Sequence, residues 1–295
     1  MYMAQLYQSG GKIDKETIHA VQEMFGFTEE KSLIESYFDY VGSIIKGNWG
    51  VSFTQYPQTV LEAVSRGLRW TVFLMGSVLI ITFILNTLLG IYVAWKRGSK
   101  IDSALTLGGQ LLANIPAVIV ALLLNYWLAR ALRIFPIGYA VTPLFRPDNV
   151  FQYIGDVLYH AALPILSMVL VSFGGIMGMR ANMINQLGED YITMGWAKGV
   201  PDRRVMFGYG ARNALLPVVT TVAMQFGYLL GGNFIIEIVF NYPGLGQVML
   251  KALNGRDYPL MQGILLMSTI LMLSANFIAD LLLLVLDPRL RKQGR

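Results

Sequence analysis

The sequence predicts an all-α, polytopic integral membrane protein, a helical bundle crossing the bilayer several times. The chain is 55% hydrophobic and only 14% charged, whereas soluble domains carry about 25% charged residues. Its mean hydropathy is +0.52. The apolar residues gather into long runs separated by short charged loops, which makes lipid the solvent for most of the chain.

A crossing helix needs about 20 mostly apolar residues to traverse about 30 Å of hydrocarbon. Five segments meet that requirement. The first covers residues 70–95. The second covers 105–129 and contains Asn114, Pro116 and Asn125. The third covers 157–179, with Pro164 inside. The fourth covers 215–236, and the fifth 260–286. Pro116 and Pro164 are expected to kink their helices.

Basic residues set the direction of insertion. Lys96, Arg97 and Lys100 follow the first span. Arg180, Lys198, Arg203, Arg204 and Arg212 lie between the third and fourth, and Arg289, Arg291, Lys292 and Arg295 close the chain. These regions alternate so as to share the cytoplasmic side. Arg130, Arg133, Arg146, Lys251 and Arg256 lie in the other loops, offset by Asp148, Asp156 and Asp257. The resulting organisation is an extracytoplasmic segment at 1–69 and a transmembrane domain at 70–290 with a cytoplasmic loop at 180–215. A cytoplasmic tail at 291–295 completes it. Residues 1–69 are polar and mixed in charge, with a helical stretch at 15–25 and no apolar signal-peptide run before them. Carrying them across calls for a further N-terminal transmembrane helix.

Several classes of function are excluded or disfavoured. There are no cysteines, hence no disulfides or thiolate metal sites. His19 and His160 stand apart with no ligand cluster. The net charge of +5 sits in loops flanking apolar runs, so it reads as membrane orientation rather than nucleic-acid binding. A phosphate-binding loop needs G-x-x-x-x-G-K-[ST]. Gly10-Gly11-Lys12 lacks the upstream glycine and is followed by Ile13. No catalytic cluster appears in the spans. An ion-coupled carrier, the competing class, often places charges inside its spans, and these have almost none before Asp280.

The most informative stretch joins the third and fourth spans and is longer than the usual connection of about 2–8 residues. Glu189 and Asp190 place negative charge at a helix start. Tyr191, Met194 and Ala197 are spaced along one helical face. Gly199, Val200 and Pro201 stop the helix. Asp202 is then expected to cap a second helix carrying Arg203 and Arg204. From pattern alone, an ordinary amphipathic surface helix and a force-transmitting one are equally supported.

The stretch resembles the cytoplasmic loop of ABC importer permeases, whose general pattern is E-A-A, three residues, Gly, then a gap to Leu-Pro. Here these are Gly199 and Leu216-Pro217. The run from Asp190 to Gly199 resembles the D-Y-x-x-T-A-R-A-K-G-like form of the oligopeptide, dipeptide and nickel branch. Five other landmarks resemble that branch in the same order. Gly47-Asn48-Trp49-Gly50-Val51-Ser52-Phe53 is similar to G-D-x-G-x-S-F, and Arg212-Asn213-Ala214-Leu215-Leu216-Pro217 to R-N-A-L-L-P. Glu237 through Tyr242-Pro243-Gly244-Leu245-Gly246 is similar to E-x-x-F-x-x-P-G-L-G. Arg256-Asp257-Tyr258-Pro259 and Asp287-Pro288-Arg289 resemble R-D-Y-P and D-P-R. Thr193, Met194 and Gly195 replace the glutamate and alanines of the general motif.

The resemblance implies a type I ABC importer permease that moves peptides or similar small solutes inward. Oligosaccharide and nickel importers of the same family are the alternatives. It implies a second homologous permease subunit, forming a heterodimer, two cytoplasmic ATPase subunits that bind the ATP, and an extracytoplasmic substrate-binding protein. The chain itself would hold no cofactor. Asp190, Tyr191, Thr193, Ala197, Lys198, Gly199, Arg203 and Arg204 are the implied ATPase-coupling residues. The loop at 240–259 would face the binding protein. Gly174-x-x-x-Gly178 and Gly227-x-x-x-Gly231 permit close helix approach. Asn114 and Asn125 are candidates for lining the solute pathway, with interhelical hydrogen bonding as the alternative role.

Overall fold

The computed structural model describes residues 32–230 and 234–286. The sequence features at 10–12, 15–25, His19, Gly231, 287–289 and 291–295 lie outside the described residues, as do the packing around Gly227 and the side chain of Asp280. Among the described residues the chain is helical, with one isolated antiparallel bridge between Val51 and Thr59.

Helix α1 (Leu33–Ile45) starts in a reciprocal cap, with Ser32 and Glu35 each accepting a backbone N–H of the other. Helix α2 (Val60–Trp95) starts the same way, through Thr59 and Glu62. It therefore begins at Val60 and not near Trp70, and the boundary expected at 69/70 falls inside a continuous helix. Arg66 and Arg69 interrupt the apolar run before Trp70, but charge does not break a helix. At 36 residues, α2 is about 54 Å long, well beyond the about 30 Å of a bilayer core.

The second expected span is broken. Helices α3 (Lys100–Ala113) and α4 (Ala117–Leu124) meet at 97°, with α4 running on as a π-helical segment, Asn125–Ala131. Asn114 ends α3, and Pro116 occupies the N-cap of α4. Proline has no N–H to continue the ladder and disfavours the helical state of Ile115 before it. Pro164, by contrast, sits inside an uninterrupted α5 (Val150–Val171). A single 3-10 turn, Ser172–Gly174, joins α5 to α6 (Gly175–Leu187). The short helix α7 (Asp190–Ala197) follows. A one-turn segment, Asp202–Arg204, and a π-helical segment, Val205–Ala211, then lead into α8 (Arg212–Leu230). Helices α9 (Phe234–Val239), α10 (Leu245–Asn254) and α11 (Tyr258–Leu286) complete the chain.

Among the described residues, α2, the joined α5–α6 and the 258–278 part of α11 are long and apolar enough to cross a membrane, and the bent α3–α4 pair would be a fourth crossing. Helix α2 is the mast of the bundle. Its Val60 and Val64 pack with Leu245, Leu260 and Ile264; its Leu74, Met75 and Val78 pack with Leu163, Ile236 and Phe240; its Ile91 and Ala94 pack with Met179 and Met183. On another face Ile80, Ile84 and Leu88 are 60%, 48% and 52% exposed. Such a three-residue apolar stripe is costly against water and ordinary against lipid tails.

Candidate functional site

Helix α7 is a short projection held at both ends. Glu189 is extended at the N-cap, and Asp190 stands in the first turn, where its charge complements the helix dipole. At the other end Gly199 N–H donates to the Trp196 carbonyl at 2.9 Å and Val200 N–H to the Gly195 carbonyl at 3.1 Å. These two bonds with Gly199 at φ +74 form a Schellman stop, which needs a left-handed residue and therefore favours glycine.

The inner side of α7 is fixed to the bundle. Ile192 is fully buried, and a Cβ on buried Gly195 would lie 3.8 Å from Val205. Tyr191 donates from its hydroxyl to Gln186 at 2.7 Å and accepts from Asn213 at 3.0 Å. Trp196 stacks obliquely on Trp95 at the end of α2, with ring centroids 6.3 Å apart. Its Nε1–H donates to Asp202 at 3.2 Å. Asp202 thus does not cap the next helix as expected; Pro201 holds the cap position, and the carboxylate instead ties the loop back to α7.

The outer side is open. Asp190, Thr193, Met194, Trp196, Ala197, Lys198, Gly199, Arg203 and Arg204 are all exposed. Of the expected face, Met194 and Ala197 point outward, while Tyr191 sits at the border as a brace. Of the candidates, Asp190, Thr193, Ala197, Lys198, Gly199, Arg203 and Arg204 are thus exposed, and Tyr191 braces the helix that carries most of them.

Two knots far along the chain from α7 explain other sequence landmarks. Fully buried Glu237 accepts from the Thr71 hydroxyl and from Gly246 N–H, each at 2.6 Å, and Leu245 N–H donates to Thr71 Oγ1 at 2.9 Å. A Cβ on Gly244 would overlap the Glu237 carboxylate. The P-G-L-G run is thus the seat of a buried acid. In the second knot Asp257 accepts from Ser52 at 2.6 Å, from the Thr54 hydroxyl and N–H at 2.9 Å each, and from Leu260 N–H at 3.1 Å. The landmark segments at 47–53 and 256–259 are one structure.

A cavity of about 510 Å³ opens between α2, α6 and α8, lined among others by Thr82, Asn86, Ser172, Asn182 and Thr221. Gly178 faces open space, whereas a Cβ on Gly174 would lie 2.8 Å from Ala113. Of this small-residue pair, only Gly174 serves helix packing. Asn86 was detectable in the sequence by the same criterion as Asn114 and Asn125, a polar group within an apolar run.

Residues 86–292 match the family described as binding-protein-dependent transport system inner membrane component. The chain belongs to this family. An oligopeptide transport system permease protein of Bacillus subtilis, AppB, is 31% identical over 91% of this chain and 83% of its own length. A putative peptide permease of Brucella suis is 33% identical over 89% and 81%. The glutathione transport system permease protein GsiC of Escherichia coli is 28% identical over 96% and 87%.

The protein is accordingly the membrane-embedded permease subunit of a binding-protein-dependent ABC importer, and ATP is hydrolysed by separate ATPase subunits. Within this permease the two asparagines of the broken span are engaged by protein. Asn125 donates to the Ile137 carbonyl at 2.8 Å and accepts from Arg130 at 3.4 Å. Asn114 donates to the Gln110 carbonyl of its own helix at 2.7 Å. Neither is among the residues lining the cavity.

Proposed function

We propose that this permease imports peptides, or small solutes resembling them, and is driven through α7. Its relatives are named for oligopeptide, peptide and glutathione transport. The observation that carries the coupling role is the division of α7 into a fixed face and a free one. Ile192 and Gly195 are buried, while Thr193, Met194, Ala197, Lys198 and Gly199 are exposed beside Arg203 and Arg204. A groove on an ATPase subunit with apolar walls and an acidic rim would take Met194 and Trp196 inside and pair with the three basic residues.

In this reading the loop at 180–215 and the C-terminus are cytoplasmic. The permease pairs with a second, homologous one, and two ATPase subunits bind the ATP. The segment before α2 and the loop at 240–259 face the binding protein on the other side. The large outward extension of α2 and the knots at Glu237 and Asp257 give that face a rigid floor.

The test is co-purification. Gly199→Glu and Met194→Glu each put a carboxylate on the docking face, and Met194, 56% exposed, can be changed without a folding cost. Both variants are expected to insert normally and to lose the ATPase subunits. Normal ATPase recovery with Met194→Glu overturns the coupling role. Labelling of Lys198→Cys from the cytoplasmic side only is expected in intact vesicles.

A further inference from the structure

The elbow of the broken span leaves polar backbone without partners deep in the membrane. Residues 114–116 separate α3 from α4 at a bend of 97°. The N–H groups of Asn114 and Ile115 donate back to the carbonyls of Leu111 and Leu112, at 3.3 and 3.1 Å. The Pro116 carbonyl accepts from Ile119 N–H at 2.9 Å and Val120 N–H at 3.4 Å. Asn114 Nδ2 turns back to the Gln110 carbonyl. The carbonyls of Ala113, Asn114 and Ile115, and Asn114 Oδ1, meet no donor among the described residues. Residues 113–116 are all exposed.

The depth of the elbow follows from its neighbours. A Cβ on Gly174 would lie 2.8 Å from the Ala113 Cβ, and one on Gly175 would lie 2.6 Å from Asn86 Nδ2. That Nδ2 donates to the Ser172 carbonyl at 3.0 Å. The elbow and Asn86 thus flank the same turn at 172–175. Asn86 lies about 14 Å along α2 from Trp95, where Lys96 and Arg97 mark the cytoplasmic border. That is close to half the thickness of a bilayer core.

Lipid cannot cover such a site. Hydrocarbon offers no hydrogen bond, so irregular backbone at this depth occurs only against protein or water. Water does not suit the surroundings, because Leu107, Leu111 and Ile119 beside the elbow are 65%, 70% and 46% exposed. Residues 1–31 do not suit it either. They carry charged side chains at 12, 14–16, 23 and 29–31, which leaves no run of about 20 apolar residues. Ala104, Leu107, Gly108 and Leu111 share one face of α3. Ala104 is exposed there, and Gly108 has open space where a Cβ would stand. Small residues at that spacing let another helix approach closely.

We propose that the elbow is a docking surface for a transmembrane helix of the second permease. The incoming helix packs on Ala104 and Gly108 and supplies a hydrogen-bond donor, from Ser, Thr, Asn or Gln, beside Asn114. The proposal rests on the importer reading, which provides a second permease, and names the surface that receives it. The bend then serves assembly, since its backbone is satisfied in the bilayer only when the two permeases are paired.

The test uses the complete transporter in nanodiscs. The chain has no cysteine, so Leu111→Cys and, on the apolar stripe of α2, Ile84→Cys each give it a single site for a nitroxide. The label at 84 is expected to collide freely with oxygen and rarely with a water-soluble nickel chelate. The label at 111 is expected to lose both kinds of collision. Oxygen collisions at 111 equal to those at 84 would place lipid at the elbow, and nickel collisions at 111 would place water there; either result overturns the proposal. Gly108→Leu tests it without a label, adding bulk where the chain itself leaves room and favouring the helix. This variant is expected to insert normally and to lose the second permease on co-purification in detergent. Full recovery overturns the proposal. A second permease missing from the unaltered complex would overturn the importer reading and this proposal with it, whereas the label and Gly108 results bear on the proposal alone.

Discussion

The hydroxyl of Ser52 donates a 2.6 Å hydrogen bond to the carboxylate of Asp257, joining segments 205 positions apart. Burial opposes the charge on Asp257, but donors from Ser52, Thr54 and Leu260 outweigh it and hold the carboxyl below its usual range. The acid therefore stabilises the fold in its ionised form. That contribution is present above the ordinary carboxylate range and is lost as pH falls through the depressed native value.

Asp257→Asn is expected to cost about 2 kcal/mol at pH 7, measured as earlier thermal unfolding in detergent. The gap between variant and parent should narrow as pH falls below the ordinary carboxylate range, because the unfolded parent then takes up a proton that the folded carboxylate resists. A gap independent of pH would refute the charged role.

The pocket for Glu237 predicts a linked pair of effects. Glu237→Ala strands the Thr71 and Gly246 donors and is expected to destabilise by about 2 kcal/mol. Gly244→Ala forces a methyl into the carboxylate and is expected to cost about 1–3 kcal/mol. In the double variant the new methyl occupies space vacated by the acid, so the sum should fall short of additive. Detergent melting curves for all four chains complete the cycle.

Arg180 holds Asp102 through two hydrogen bonds, at 2.7 and 2.9 Å. Arg180→Ala leaves a buried carboxylate unpaired. A cost of about 2 kcal/mol is expected, below the about 3–5 of a fully buried pair, because the arginine side chain is 25% exposed. Adding Asp102→Asn should restore part of the loss in the same melting assay.

Tyr191→Phe removes the hydroxyl that joins Gln186 and Asn213. About 1 kcal/mol of local support for α7 is expected to go. Amide exchange at 190–199 should speed up severalfold while exchange in α2 stays the same.

The apolar runs made the bundle legible, since crossing a bilayer imposes a length that composition alone reveals. Helix α7 was legible for another reason: Gly199, Val200 and Pro201 are local stop signals. What escaped was long-range. Nothing near Glu237 announces Thr71, 166 positions away, although the Gly244 and Gly246 spacing was visible as a motif without its cause. The early start of α2 was written in Thr59 and Glu62, a capping signal that hydropathy does not register. The break at Asn114 and Pro116 was half legible. Proline foretold a kink, but its size depends on where α5 and α6 leave room.

Helix α2 carries Thr71 of the Glu237 knot about a third of the way along it and Trp95, against Trp196 of α7, at its far end. No turn or hinge intervenes along its 36 residues. A stiff rod about 54 Å long that tilts by about 5° moves one tip relative to the other by about 5 Å. Small rotations imposed at one surface of the protein thus arrive at the opposite surface as displacements larger than the diameter of a water molecule.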